Sequence, residues 1–194
     1  VLLVAGLASL AYLPTLKYGF VWDDRALIVD NQDLDAPSPA RFFGQSFTHW
    51  WAKKGLVPDA YYRPLVMTSF WLDHKAWGTN PYGFHLTNVL LNTIASVLVA
   101  ALLVELLGRS WPAFVAGLVF ALHPAHVESV AFVSGRTDVM MAVFVLLAFL
   151  ALGRYRRKPG PAWMGAVVMP SLKPSRSCAT AGLIIRLFFS SPDG

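Results

Sequence analysis

The stretch LTNVLLNTIASVLVAALLVELL, Leu86 to Leu107, carries a single charged residue, Glu105, in a run long enough to cross a bilayer, which takes about 20 residues. A chain that places such a run in lipid must satisfy its backbone hydrogen bonds internally, as a helix or a closed barrel. The polar residues Asn88, Asn92 and Ser96 recur every four positions, so they share one face of a helix. That face turns toward other helices, where side-chain amides find partners. The expectation is an all-α, polytopic helical membrane protein. Composition agrees, with 56% of the 194 residues hydrophobic and only 14% charged. The net charge of +5 is scattered or sits beside apolar runs and forms no stripe, which argues against a nucleic-acid partner. One cysteine, Cys178, allows no internal disulfide and no cysteine-based metal site.

Residues 1–158 read as a membrane domain of about four spans. Val1 to Leu13 begins without a basic flank and reads as a truncated first span, because Tyr12, Leu13 and Pro14 make a poor signal-cleavage site. A large external loop follows, about residues 17–85, rich in Pro, Asp and aromatic residues. Within it PSPARFFGQSF predicts a proline-led short helix. Its Phe42, Phe43 and Phe47 either lie on a bilayer surface or form the loop's own core. After Leu107 a tight turn, GRSWP, leads to Pro112 as a helix opener. Two short apolar runs, Pro112 to Leu122 and Val139 to Leu152, then flank the polar stretch HPAHVESVAFVSGRTD, His123 to Asp138. They predict two spans joined by a turn that dips toward bilayer depth, facing protein or a wet cavity. The basic cluster Arg154 to Lys158 marks a cytoplasmic end, so the long loop and the His123–Asp138 turn face the opposite side. Residues 159–194 form an atypical tail whose apolar runs are broken by Pro170, Lys173, Pro174 and Arg176, and they read as a frameshifted or truncated end.

Four ordered stretches, FVWDDRALIVDN, YYRPL with the following TSF, WGTNPYGFHLTNVLLN and HPAHVESVAFVSGRTD, resemble the transmembrane-and-tetratricopeptide-repeat O-mannosyltransferase family of the GT-C glycosyltransferases. They cover roughly residues 18–150, as an N-terminal fragment of such a protein. The resemblance implies an enzyme that moves a hexose, mannose in this family, from a polyprenyl-phosphate carrier to a hydroxyl on a protein or glycan. Transfer takes place on the non-cytoplasmic face. In such enzymes the first external loop supplies a catalytic aspartate followed by a second acidic residue, positions matched by Asp23 and Asp24. A carboxylate near the anomeric carbon can take the proton of the attacking hydroxyl, while the departing phosphate needs positive donors. Arg136 is the first candidate for that phosphate and Arg63 the second, because guanidinium stays charged and forks onto two oxygens. Asp138 is a candidate to orient Arg136, and His123, His126 and Glu128 complete the polar set. The resemblance implies neither metal nor cofactor beyond the sugar donor. It also implies an integral membrane location, the bacterial inner membrane or, in a eukaryote, the endoplasmic reticulum.

Each site residue also has a plainer reading. Asp23 and Asp24 can cap a helix and solvate a loop. Arg136 with Asp138 can be a structural ion pair at a helix start. His123, His126 and Glu128 can serve interface packing, since HPAH spacing lacks a third metal ligand. At the level of the whole chain, a channel path through His123, Glu128, Arg136 and Asp138, or a non-catalytic membrane scaffold, competes with the transferase.

Overall fold

The structure, a computed structural model, describes residues 2–55, 61–108 and 110–157. The tail expected at 159–194 lies outside the described residues. The chain divides into two compact units, Val1–Val143 and Phe144–Gly194, and every candidate site residue belongs to the first. Among the described residues the secondary structure is helical throughout.

Helix α1, Leu2–Tyr12, passes into a 3-10 turn, Leu13–Lys17. The loop that follows is a folded element, with more helical turns than the one proline-led helix expected at PSPARFFGQSF. It holds a π-helical turn at Arg25–Val29, 3-10 turns at Gln32–Asp35 and Pro39–Phe43, the short α2, His49–Lys53, and α3, Pro64–Trp77. Asn31 starts the Gln32–Asp35 turn by accepting from the Asp33 N–H, and Ser38 does the same for Ala40 ahead of Pro39. Ile28, Leu34, Phe42, Met67 and Phe70 pack with Phe84 and Val133 into one core. The Trp71 indole N–H donates to the Ala36 carbonyl at 2.8 Å and ties α3 to the turns. Phe42 and Phe47 therefore belong to the loop's own core, whereas Phe43 points outward.

Helix α4, Pro81–Leu107, has 27 residues and a length of about 40 Å, enough to cross a hydrocarbon layer of about 30 Å. Asn80 caps it by accepting from the Tyr82 N–H, with Pro81 at the first helical position. Gly108 stops it in the left-handed conformation, φ 64°, where its N–H reaches the Val104 carbonyl. Helix α5, Ser110–Leu122, has 13 residues, and α6, His126–Ala131, is a short connector. A 3-10 turn, Val133–Gly135, leads into α7, Arg136–Arg157. Among the described residues two segments, Pro81–Leu107 and Val133–Tyr155, are long and apolar enough to cross a membrane, whereas Leu2–Lys17 and Trp111–Leu122 are shorter apolar helices.

The polar stripe of α4 turns inward as expected, with Asn88, Asn92 and Ser96 all buried. Small residues bring α4 and α5 close: a Cβ on Gly117 would stand 3.0 Å from the Ala100 Cβ and 3.3 Å from the Ser96 carbonyl oxygen. On another side of α4, Thr93 and the α1 residue Ser9 share a hydroxyl hydrogen bond of 3.0 Å. These contacts fix α4 as the post against which the loop and the Val130–Arg136 stretch are set.

Candidate functional site

Asp23 and Asp24 are neighbours with opposite environments. Asp23 is exposed, and Asp24 is fully buried. One Asp24 carboxylate oxygen accepts from the Ser134 backbone N–H at 2.8 Å and from its hydroxyl at 2.6 Å, while the other accepts from the Val21 N–H at 3.2 Å. Three donors on an ionised carboxylate offset much of the cost of taking it from water. The acidic loop is thereby fastened to the break between α6 and α7. Trp22, just before the pair, has φ 45° and is 88% exposed, with its ring edge-on to Phe132. A bulky residue held at positive φ marks a strained turn whose neighbours determine its shape.

Arg136 opens α7 yet points into the protein, 0% exposed. Its donors go to the Asn88 side-chain oxygen at 2.7 Å, the Phe84 carbonyl at 2.8 Å, the Ser69 hydroxyl at 3.2 Å and the Asp73 carboxylate at 2.6 Å. The guanidinium also lies 4.7 Å from the centre of the Phe70 ring. Asp73 is held in turn by the Thr87 hydroxyl at 2.8 Å. The Asn88 amide donates to the carbonyls of Val130, Phe132 and Val133, where the chain leaves α6 and turns into α7. Arg136 is thus the hub of a buried network joining α3, α4 and α7, and its guanidinium is turned away from solvent.

The remaining expected residues are spread over the surface around this hub. Asp138 is exposed and accepts from the Ser129 hydroxyl at 3.5 Å, while Arg136 pairs with Asp73. Arg63 is half-buried between the rings of Phe47 and Tyr61, and its guanidinium donates to the Thr137 hydroxyl at 3.4 Å. His123 accepts the Ala125 N–H on its ring nitrogen, and His126 packs on Phe120 with ring centres 4.3 Å apart. Burial, and then the charge of His123, lowers the pKa of His126. Glu128 is exposed. Among the described residues no three of His, Cys, Asp and Glu converge as a metal site would require.

Sequence reasoning passed over Asp73, Ser134 and Ser69. Asp73 is the one acidic residue of α3 and was the available signal, while Ser134 is an ordinary residue until the fold brings it to Asp24. His85 also gains interest: it is buried edge-on to Tyr18, and neither ring nitrogen completes a hydrogen bond among the described residues. Between the Lys17–Val21 stretch and α6 lies an open groove of about 590 Å³ with largely apolar walls.

Among the described residues, fold and site together define a helical protein with two membrane-length helices, in which an exposed aspartate is presented beside a buried one anchored to a distant turn. The chain is 41% identical over 155 residues to the mouse protein O-mannosyl-transferase TMTC2, covering 76% of this chain and 18% of the relative. It is 38% identical over 154 residues to Drosophila melanogaster Tmtc1, covering 78% and 18%, and 32% identical over 161 residues to human TMTC3, covering 82% and 17%. No family model and no solved structure matches it. The chain belongs to the TMTC-like family of protein O-mannosyl-transferases, and spans less than a fifth of the length of these relatives.

Proposed function

We propose that this region forms part of a membrane glycosyltransferase that moves mannose from a polyprenyl-phosphate carrier to a hydroxyl on a protein or glycan. The observation that carries the reading is the division of labour in the acidic pair. Asp24 is committed to Ser134, which leaves the exposed Asp23 beside it free to act as a base. In this reading the Asp23 carboxylate takes the proton of the acceptor hydroxyl as its oxygen bonds to the anomeric carbon. The bond from that carbon to the carrier phosphate breaks, and the electron pair leaves on the phosphate oxygen. Of the two arginines expected at the phosphate, Arg63 keeps part of its surface accessible, and we assign it that contact. Arg136 acts as a strut that sets where Ser134, and so the acidic loop, can sit.

The reading places about four spans in residues 1–158, with α1 and α5 completing a set whose longer members are α4 and α7. The acidic loop and the His123–Asp138 turn then share the non-cytoplasmic face, with Arg154 to Lys158 on the cytoplasmic side. The relatives reported above are animal proteins, which supports the endoplasmic-reticulum membrane, with a luminal site, over a bacterial inner membrane. No metal or cofactor is called on beyond the sugar donor. Transfer of radiolabelled mannose from polyprenyl phosphate to a hydroxyl-bearing peptide, by the detergent-purified protein with and without added chelator, tests the reading. Chelator-resistant transfer supports it, and loss of transfer on chelation contradicts the metal-free chemistry.

A further inference from the structure

Trp22 is held where the backbone resists it and solvent surrounds it. The Asp24 N–H donates to the Val21 carbonyl at 3.0 Å, and the Asp24 carboxylate accepts in return from the Val21 N–H at 3.2 Å, so Val21–Asp24 closes as a four-residue turn. Trp22 and Asp23 are its two central residues. Trp22 takes φ 45° at the first central place, which glycine usually fills because a Cβ there crowds the backbone. Among the described residues, Trp22 and Tyr61 alone hold a positive φ without being glycine. The indole is nevertheless 88% exposed, with its ring edge-on to Phe132 at 6.4 Å between centres. So little of the ring is packed that interior contacts do not account for the strain, and strain of this kind gathers where a residue has to be presented.

What the turn presents is an indole beside the exposed Asp23 carboxylate. Both stand outside the groove between Lys17–Val21 and α6, whose walls include neither residue. An acceptor hydroxyl within reach of Asp23 belongs to a residue whose neighbours pass the tip of the turn, and Trp22 occupies that tip. The flat indole face suits an apolar side chain, and its N–H suits a peptide carbonyl. A glycan would need, besides a stacking face, several polar groups to fix its hydroxyls, and the tip offers one carboxylate already used as the base. We propose that Trp22 is a specificity-determining residue for a polypeptide acceptor, its ring packing on an apolar side chain next to the hydroxyl-bearing Ser or Thr. The proposal rests on the transferase reading and adds to it a sequence preference in the acceptor.

The test uses the full-length protein in detergent and two peptides that differ at the residues flanking a single threonine, leucine in one and glycine in the other. Wild type should favour the leucine peptide by about tenfold or more in kcat/KM, the scale of one apolar contact in a recognition site. Trp22→Gly should erase the preference, and Trp22→Phe should keep most of it. The unfolding midpoint of Trp22→Gly should equal or exceed that of wild type, because glycine adopts a positive φ without strain. A preference that survives Trp22→Gly overturns the proposal, as does a fall in its midpoint, which would make the ring a packing element. Loss of transfer seen in liposomes but absent in detergent would assign the ring to the bilayer and overturn it too. Trp22-dependent transfer to mannobiose, with neither peptide accepted, would assign it to a glycan with the same result. Anisotropy of the fluorescein-labelled leucine peptide needs no turnover and separates the two claims. Binding that weakens about tenfold in Trp22→Gly, in a protein that transfers no sugar, keeps the contact and removes the transferase reading. Transfer with binding and preference unaltered in Trp22→Gly removes the contact and keeps that reading.

Discussion

Asp24 and Ser134 lie 110 positions apart and are joined by two hydrogen bonds, of 2.8 and 2.6 Å, that close the acidic loop onto the break before α7. The relationship makes the geometry of the loop depend on a residue with no chemistry of its own. Ser134→Ala leaves the backbone donor but removes the hydroxyl from a buried carboxylate. The expected cost is about 1.5–3 kcal/mol of stability, the range for hydrogen bonds to charged groups. Thermal unfolding in detergent reads it, and an unchanged midpoint would mean that Asp24 is held by other means.

Arg136 and Asp73 should behave as a coupled pair. Removing either partner leaves a buried charge without its counter-ion, a loss of about 3–5 kcal/mol. Arg136→Lys keeps the charge but cannot reach Asn88, Phe84, Ser69 and Asp73 together, so it too should destabilise the protein. A double-mutant cycle of Arg136→Met and Asp73→Leu should give a coupling energy of more than about 1 kcal/mol. Additive single losses would argue against a hub.

Much of this arrangement was legible in the amino-acid sequence. The four-residue spacing of Asn88, Asn92 and Ser96 identified the buried face of α4, and the two polar stretches that meet through Asp24 and Ser134 were recognisable as separate constellations. The partner of Arg136 was not legible. Asp138 is close in sequence, but residues two apart on a helix point to different sides, and the carboxylate that reaches Arg136 comes from α3. How far the external loop folds beyond its phenylalanines was hidden for a similar reason. Its core joins Leu34, Phe42, Phe70 and Val133, which no local period links, and the placement of Phe42 inside and Phe43 outside is decided by packing.

Gly135 should tolerate no side chain. A Cβ there would stand 2.9 Å from the Ser129 Cα and 3.0 Å from the Glu128 carbonyl oxygen, both backbone atoms that cannot swing aside. Gly135→Ala should cost about 1–3 kcal/mol and loosen the α6–α7 break that presents Ser134. Gly19→Ala, with open space around it, is the control and should unfold as the wild type does. Equal stability of the two variants would contradict the close approach.

The shared face of the two polar stretches can be read by labelling. In a Cys178→Ala background, Asp30→Cys and Asp138→Cys should react with an impermeant thiol reagent from the luminal side, and Leu106→Cys, at the other end of α4, should not. Reaction of Leu106→Cys alone would invert the proposed orientation.

The central claim is that Asp23 carries the chemistry and Asp24 carries the shape, and transfer kinetics of the two asparagine variants test it most directly. Asp23→Asn preserves size and most hydrogen bonding but cannot take a proton. Turnover of mannose from polyprenyl phosphate should therefore fall by about 10²–10⁴, with the unfolding midpoint and carrier binding unchanged. Asp24→Asn should instead lower the unfolding midpoint, because it turns an N–H₂ group toward either the Ser134 or the Val21 donor and gives up the negative charge. A well-folded Asp23→Asn protein that transfers mannose at the wild-type rate would contradict the account.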